Sequence, residues 1–199
     1  MSSAPDERPK PGRRRDPTRD TAIADATLAV FVEEGYSALT IEGVAARAGV
    51  GKATIYRRYA SKAELVVDAV RAGAGIADGL PDTGDVRADL AAMLRPLVKK
   101  LKSGHGDVLI TLMTERLRNP DLDEEFVRSV IGEKRAHMRG LIRSAVERGD
   151  LPADTDIELV AEAGPGIIWH HALHGLALPD DLPERIVDIV LPPRPRSGA

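Results

Sequence analysis

The chain has 199 residues, 43% hydrophobic and 30% charged, with a net charge of -3, which allows one or two domains with buried cores and excludes a disordered chain. Zero cysteines exclude disulfides, thiolate catalysis and cysteine metal sites, as suits a reducing compartment. The opening MSSAPDERPKPGRRRD has no apolar run, so no secretory signal is expected. The longest uncharged stretch, Ala163 to Pro179, is too short and too rich in His and Pro to span a bilayer, so the expected location is cytoplasmic, with no membrane partner.

Residues 1–17 combine four prolines with Arg8, Lys10, Arg13, Arg14 and Arg15, the composition of a flexible basic arm without a core of its own. From Thr18 the pattern turns helical. Ile23, Ala26, Val30 and Phe31 share one face, and Gly35 stands where that helix should end. Thr40 is a good N-cap for a second helix whose apolar face is Ile41, Val44, Ala45 and Ala48. Gly49 then supplies the left-handed turn that stops it. A third short helix is expected from about Lys52. Ser61-Lys62-Ala63-Glu64 reads as a capping box opening a fourth helix through Leu65, Val66, Ala69 and Val70. Two short helices with a sharp glycine turn between them form a helix-turn-helix unit.

Within it, from Thr40 to Lys62, stand five basic residues and one acidic one, Glu42. That concentration of charge in an acidic chain points to an anionic partner. Residues 1–79 carry 12 basic and 11 acidic side chains, and residues 80–199 carry 16 and 20.

Beyond Pro81 no alternating strand pattern occurs. Leu90, Leu94, Leu97, Val98 and Leu101 make one helical stripe, which Pro96 is expected to kink or restart. Val108 to Leu117 reads as a short helix. Asn119-Pro120 opens a long amphipathic segment that stops at Gly149. Two last helices are expected from Asp154 or Thr155, where Thr155 to Glu158 reads as a capping box, and from Asp181. The fold class is all-α with about nine helices. The expected organisation is an arm (1–17), a helix-turn-helix domain (18–62), a helical regulatory and dimerisation domain (63–192) and a tail (193–199).

Residues 39–65, LTIEGVAARAGVGKATIYRRYASKAEL, resemble the tetracycline-repressor family of one-component bacterial regulators. The shared features are a threonine opening the second helix (Thr40), Ala48-Gly49-Val50, Tyr56 followed by the aromatic Tyr59, and Ser61-Lys62 opening the fourth helix. Ala60 departs from a frequent proline, and Tyr59 from a commoner phenylalanine. The resemblance covers about residues 18–70. PDTG at 81–84 and NPDL at 119–122 are similar to one C-terminal subtype.

A third helix in the major groove of double-stranded DNA would set Lys52 toward guanine edges, with Thr54 on a thymine methyl or a phosphate. Thr40, Tyr56, Arg57 and Lys62 would hold the flanking phosphates, and Arg47 would touch either. Arg13, Arg14 and Arg15 would add minor-groove contacts. The resemblance implies a homodimer on a palindromic operator, released by a small-molecule effector.

The dimer surface it implies comes from the last two helices. On the first of them, Ile157, Val160, Ala161, Gly164, Ile168 and Ala172 share a face; on the second, Leu182, Ile186, Ile189 and Val190 do. An intramolecular core would look much the same. Residues 80–199 hold two aromatics, Phe126 and Trp169, which favours an aliphatic or compact ligand. Met93, Met113, His137 and Trp169 are the candidate lining.

A regulator without a ligand, controlled by abundance or by a protein partner, stays open as an alternative. A more remote one is a histidine-based metal protein or enzyme, because His170 and His174 have the four-residue spacing that offers two imidazoles to zinc. No glutamate completes that motif. A nucleophile elbow, a P-loop and a GxGxxG fingerprint are all missing, so neither catalysis nor a cofactor is expected.

Overall fold

A computed structural model describes residues 17–73 and 80–192 of the chain; the arm residues Arg13, Arg14 and Arg15 lie outside the described residues. Among those described there is no strand, and the elements are α1 (Pro17–Ala38), α2 (Ile41–Arg47), α3 (Lys52–Tyr56), α4 (Lys62–Gly73), α5 (Val86–Leu101), α6 (Gly106–Glu115), α7 (Pro120–Phe126), a π-helical turn (Val127–Ile131), α8 (Gly132–Glu147), α9 (Ile157–Leu173) and α10 (Leu182–Val190). The helices α7 and α8 run on through the π turn as one rod. Counted that way, the described residues make nine helices.

Local chemistry explains most of the boundaries. Gly35 takes φ +78° and breaks α1 before its last turn. The Thr40 hydroxyl accepts from the Gly43 N–H at 3.0 Å and caps α2, and Gly49 takes φ +64° after it. At α4 the Ser61 hydroxyl accepts from the Glu64 N–H at 3.0 Å, while the Glu64 carboxylate accepts from the Ala60 N–H at 2.7 Å. The box therefore closes one residue earlier than its usual form.

Two expectations need correction. Of the two outcomes expected at Pro96, the restart does not occur, because α5 runs through it from Val86 to Leu101. The start of α9 is capped not by Thr155 but by Asp156, whose carboxylate accepts from the Leu159 N–H at 3.0 Å; the Thr155 hydroxyl donates to the Pro152 carbonyl instead.

Apolar burial falls into two clusters. The first joins α1 to α4 with α6, α7 and the π turn, through Phe31, Tyr36, Ile55, Leu65, Leu112 and Phe126. The second joins α5, α8, α9 and α10 through Leu90, Leu94, Ile142, Ile168 and Ile186. The short helices α2 and α3 are thus seated on a core they share with part of the second half of the chain.

The stripe expected to form a dimer surface turns mostly inward. Ala161, Gly164, Ile168, Leu182 and Ile186 are buried in the chain's own second cluster, and Ile157, Val160 and Val190 pack against it. A Cβ on Gly164 would lie 2.9 Å from Leu94 Cδ1, so this glycine serves the close approach of α9 to α5. Ala172 is half-buried. Ile189 alone of the ten points out, 80% exposed. The reason is that α9 packs on α5 and α8, and α10 on α5 and α9, through this stripe.

Candidate nucleic-acid interface

A single large anchor holds α3. Ile55 is fully buried, while Lys52, Tyr56 and Arg57 are exposed and Thr54 is half-buried. A helix of five residues has too few internal bonds to persist alone. Its position comes from the left-handed turn at Gly49 and from Ile55, which together present the remaining side chains outward. Thr40 lies exposed at the N-terminus of α2 beside them.

Two acidic side chains shape this face. The Tyr56 hydroxyl donates to Glu42 at 3.3 Å, and the Glu42 charge raises the tyrosine pKa. Arg47 forms a two-pronged pair with Glu33 of α1 at 2.5 and 2.7 Å. The pair is exposed, so it is screened and opens at little cost when a phosphate competes for the guanidinium. Arg58 pairs with Asp20 and is drawn away from the α3 surface.

Lys62 has a different setting from its neighbours. Its ammonium donates to the Tyr36 carbonyl at 2.9 Å and lies 4.2 Å from the centre of the Tyr36 ring. Tyr36 is itself a junction. Its N–H donates to Glu115 of α6 at 3.0 Å, and its hydroxyl donates to Asp121 of α7. Burial first, and the bond to Asp121 second, push the Tyr36 pKa upward. Glu33, Tyr36, Glu115 and Asp121 were not legible as a group in the sequence, since their partners stand up to 85 positions away. The one local signal was Tyr36 directly after the helix-ending Gly35.

The four candidate pocket residues are not gathered in one place. Met113 and Trp169 pack against the first cluster and Met93 against the second. The His137 Nε2 donates to the Pro81 carbonyl at 2.7 Å. A polar cleft of about 1180 Å³ lies between α1, α4 and the π turn, and a smaller one of about 630 Å³ lies between α5 and α10; none of the four lines either. His170 and His174 have ring centres 4.5 Å apart, and among the described residues no group of three His, Asp or Glu could hold a metal ion. Among those residues no helix is long and apolar enough to cross a membrane.

Residues 23–69 match the family model described as bacterial regulatory proteins, tetR family, and residues 80–190 match the tetracyclin repressor-like C-terminal domain. The chain is 31% identical over 181 residues to the uncharacterized HTH-type transcriptional regulator Rv1556 of Mycobacterium tuberculosis, covering 90% of this chain and 89% of that one. It is also 31% identical over 186 residues to the DNA-binding transcriptional repressor TetR of Mycobacteroides abscessus, covering 93% and 98%. The crystal structure of the regulator FadR from Bacillus subtilis in complex with stearoyl-CoA superposes with a TM-score of 0.68 over 86% of this chain and 97% of that one, at 18% identity, and so shares the fold.

Proposed function

Because this chain belongs to the tetracycline-repressor family of bacterial regulatory proteins, and is a helix-turn-helix transcriptional regulator, we propose that it represses transcription by binding a palindromic operator as a homodimer. The observation that carries this is α3 itself, held by the buried Ile55 with Lys52, Tyr56 and Arg57 exposed on it. Lys52 reads a base edge in the major groove; Thr40, Thr54, Tyr56 and Arg57 hold phosphates, and Arg47 joins them when its pair with Glu33 opens. The reading assigns no catalytic residue, and it places the protein in the cytoplasm, where the chromosome is.

The second copy seats on the outward face of α9 and α10. Leu159 (65% exposed), Leu173 (51%) and Ile189 (80%) lie open there. Gly166 shares the α9 face, and a Cβ on it would meet nothing within 4 Å. Its smallness therefore serves no packing inside the chain and leaves room for the backbone of a partner helix.

A small-molecule effector is proposed to release the operator. This draws support from the shared fold with a regulator whose structure holds stearoyl-CoA. Footprinting on DNA from around the regulator's own gene tests the reading. Two protected half-sites related by a two-fold axis, about one helical turn apart or a multiple of it, are expected. Protection of one asymmetric half-site by a monomer overturns it.

A further inference from the structure

The outward stripe of α9 is symmetric about a glycine. Leu159, Glu162, Gly166, His170 and Leu173 follow one another along it at spacings of three or four, all exposed, and His174 ends it as the C-cap. Gly166 is the midpoint, with the two leucines seven positions to either side and Glu162 and His170 four. A two-fold axis through Gly166 and perpendicular to α9 runs two copies of the helix antiparallel and sets each residue against the one equally far beyond the glycine. Leu159 then meets the partner's Leu173, and His170 meets the partner's Glu162. A parallel pairing would set Glu162 against its own copy, a contact between like charges.

His170 and His174 stand one helical turn apart, with ring centres 4.5 Å apart and planes at 46°. Two imidazoles that share a tetrahedral ion, each nitrogen about 2.0–2.1 Å from it, have ring centres about 5 Å apart. A small side-chain rotation is enough. His171 is turned away, because its Nδ1 donates to the Ala177 carbonyl at 2.7 Å. Neither ring of the pair, nor the Glu162 carboxylate, has a hydrogen bond or ion pair with a described residue. The pair also sits at the negative pole of a 17-residue helix, which favours a cation there. One chain does not complete the ligand set, since no third His, Asp or Glu among the described residues joins them. Glu162 of the same helix lies about 12 Å from His170 along the axis, beyond reach.

We infer that His170 and His174 of one copy, with Glu162 of the partner subunit, bind a divalent transition-metal ion of the zinc class. Each homodimer has two such sites, and each site is incomplete without the second chain. This rests on the homodimer proposed above and gives its interface a ligand. Two imidazoles and a carboxylate are a donor set that zinc accepts, with water in its fourth position. The ion also supplies the opposite charge that a carboxylate buried between two subunits needs.

The test titrates the untagged full chain with zinc chloride by calorimetry and follows self-association by sedimentation. The wild type should bind two ions per dimer, and zinc should lower the dimer dissociation constant at least about tenfold, because the ion prefers the dimer. Glu162→Gln, and His170→Gln combined with His174→Gln, should each lose at least about tenfold in zinc affinity, the smaller loss seen when a mere outer-shell partner is removed. All three side chains are exposed, so both variants should keep the parent's helical circular-dichroism spectrum. Mixing the two variants shows whether the carboxylate acts across the interface. A mixed dimer regains one complete site, so tight binding should reappear at about one ion for every two dimers. Zinc affinity unchanged by Glu162→Gln, or a mixture that stays weak, overturns the inference. A wild type that remains monomeric with and without zinc sinks the homodimer reading as well, whereas a dimer that binds no zinc sinks only the metal site.

Discussion

Lys52 and Lys100 show how differently one residue type is used in this chain. Lys52 is exposed at the start of α3, where an ammonium reaches base edges only if DNA is present. Lys52→Ala should weaken binding to the cognate operator by about 1–3 kcal/mol and relax preference at one base pair per half-site. Gel-shift titrations on single-base operator variants check this, and a uniform loss on every sequence would move Lys52 from the bases to the backbone. Lys100 is sheltered, and its lowered pKa, about 8 against 10.5, has a consequence for stability. In that interval the unfolded chain binds the proton and the folded chain does not, so stability rises with pH there. Below pH 8 the penalty is fully present. Denaturant titrations should therefore show the wild type gaining stability relative to Lys100→Met between about pH 8 and pH 9.5. Above pH 10 the raised pKa values of Tyr36 and Tyr59 act in the opposite direction, because the unfolded chain then loses its tyrosine protons first. A pH-independent difference between the two proteins would mean that Lys100 is not sheltered.

At the scale of elements, α4 is tied to α1 by Lys62 and through Tyr36 to α6 and α7. Lys62→Ala should lower the melting temperature, by losing a charge-assisted hydrogen bond and a cation over a ring. It should leave the slope of log affinity against log salt unchanged, because the ammonium already faces Tyr36. A slope shallower by about one unit would instead return Lys62 to the phosphate backbone. This contact also shows where sequence reading stops. Thr40, Gly49 and Ser61 announce the ends of their own helices, since a cap or a left-handed turn acts over three or four residues, and the helix-turn-helix was legible for that reason. Gly49→Ala should accordingly cost about 1 kcal/mol from backbone strain alone, with nothing within 4 Å to clash with the new methyl group; a scan showing no fall in melting temperature would contradict that. The Arg47 pair with Glu33 and the sheltering of Lys100 depend on helix docking, which no local signal encodes. The inward turn of Ala161, Gly164 and Ile168 was hidden for a related reason. An apolar stripe shows that a face is covered and does not say by which chain.

On the scale of the whole molecule, the outward apolar residues of α9 and α10 decide whether two reading heads act together. Leu159 and Ile189 are open to solvent and make no contribution to the chain's own core, so charging them should leave the fold intact. Leu159→Asp with Ile189→Asp buries four carboxylates in a two-fold interface, two from each copy, and self-association should fail. Sedimentation should then report a monomer with the helical circular-dichroism spectrum of the parent. Operator affinity should fall by about 100-fold or more, because the second half-site loses the high effective concentration that linkage to the first provides. Affinity for an isolated half-site should barely change, since α3 and its anchor Ile55 lie in the other cluster. A charged variant that still sediments as a dimer would put the two-fold axis on another face of the molecule. A monomer with undiminished operator affinity would show that one head suffices, and the spacing of the half-sites would then carry no information about the protein.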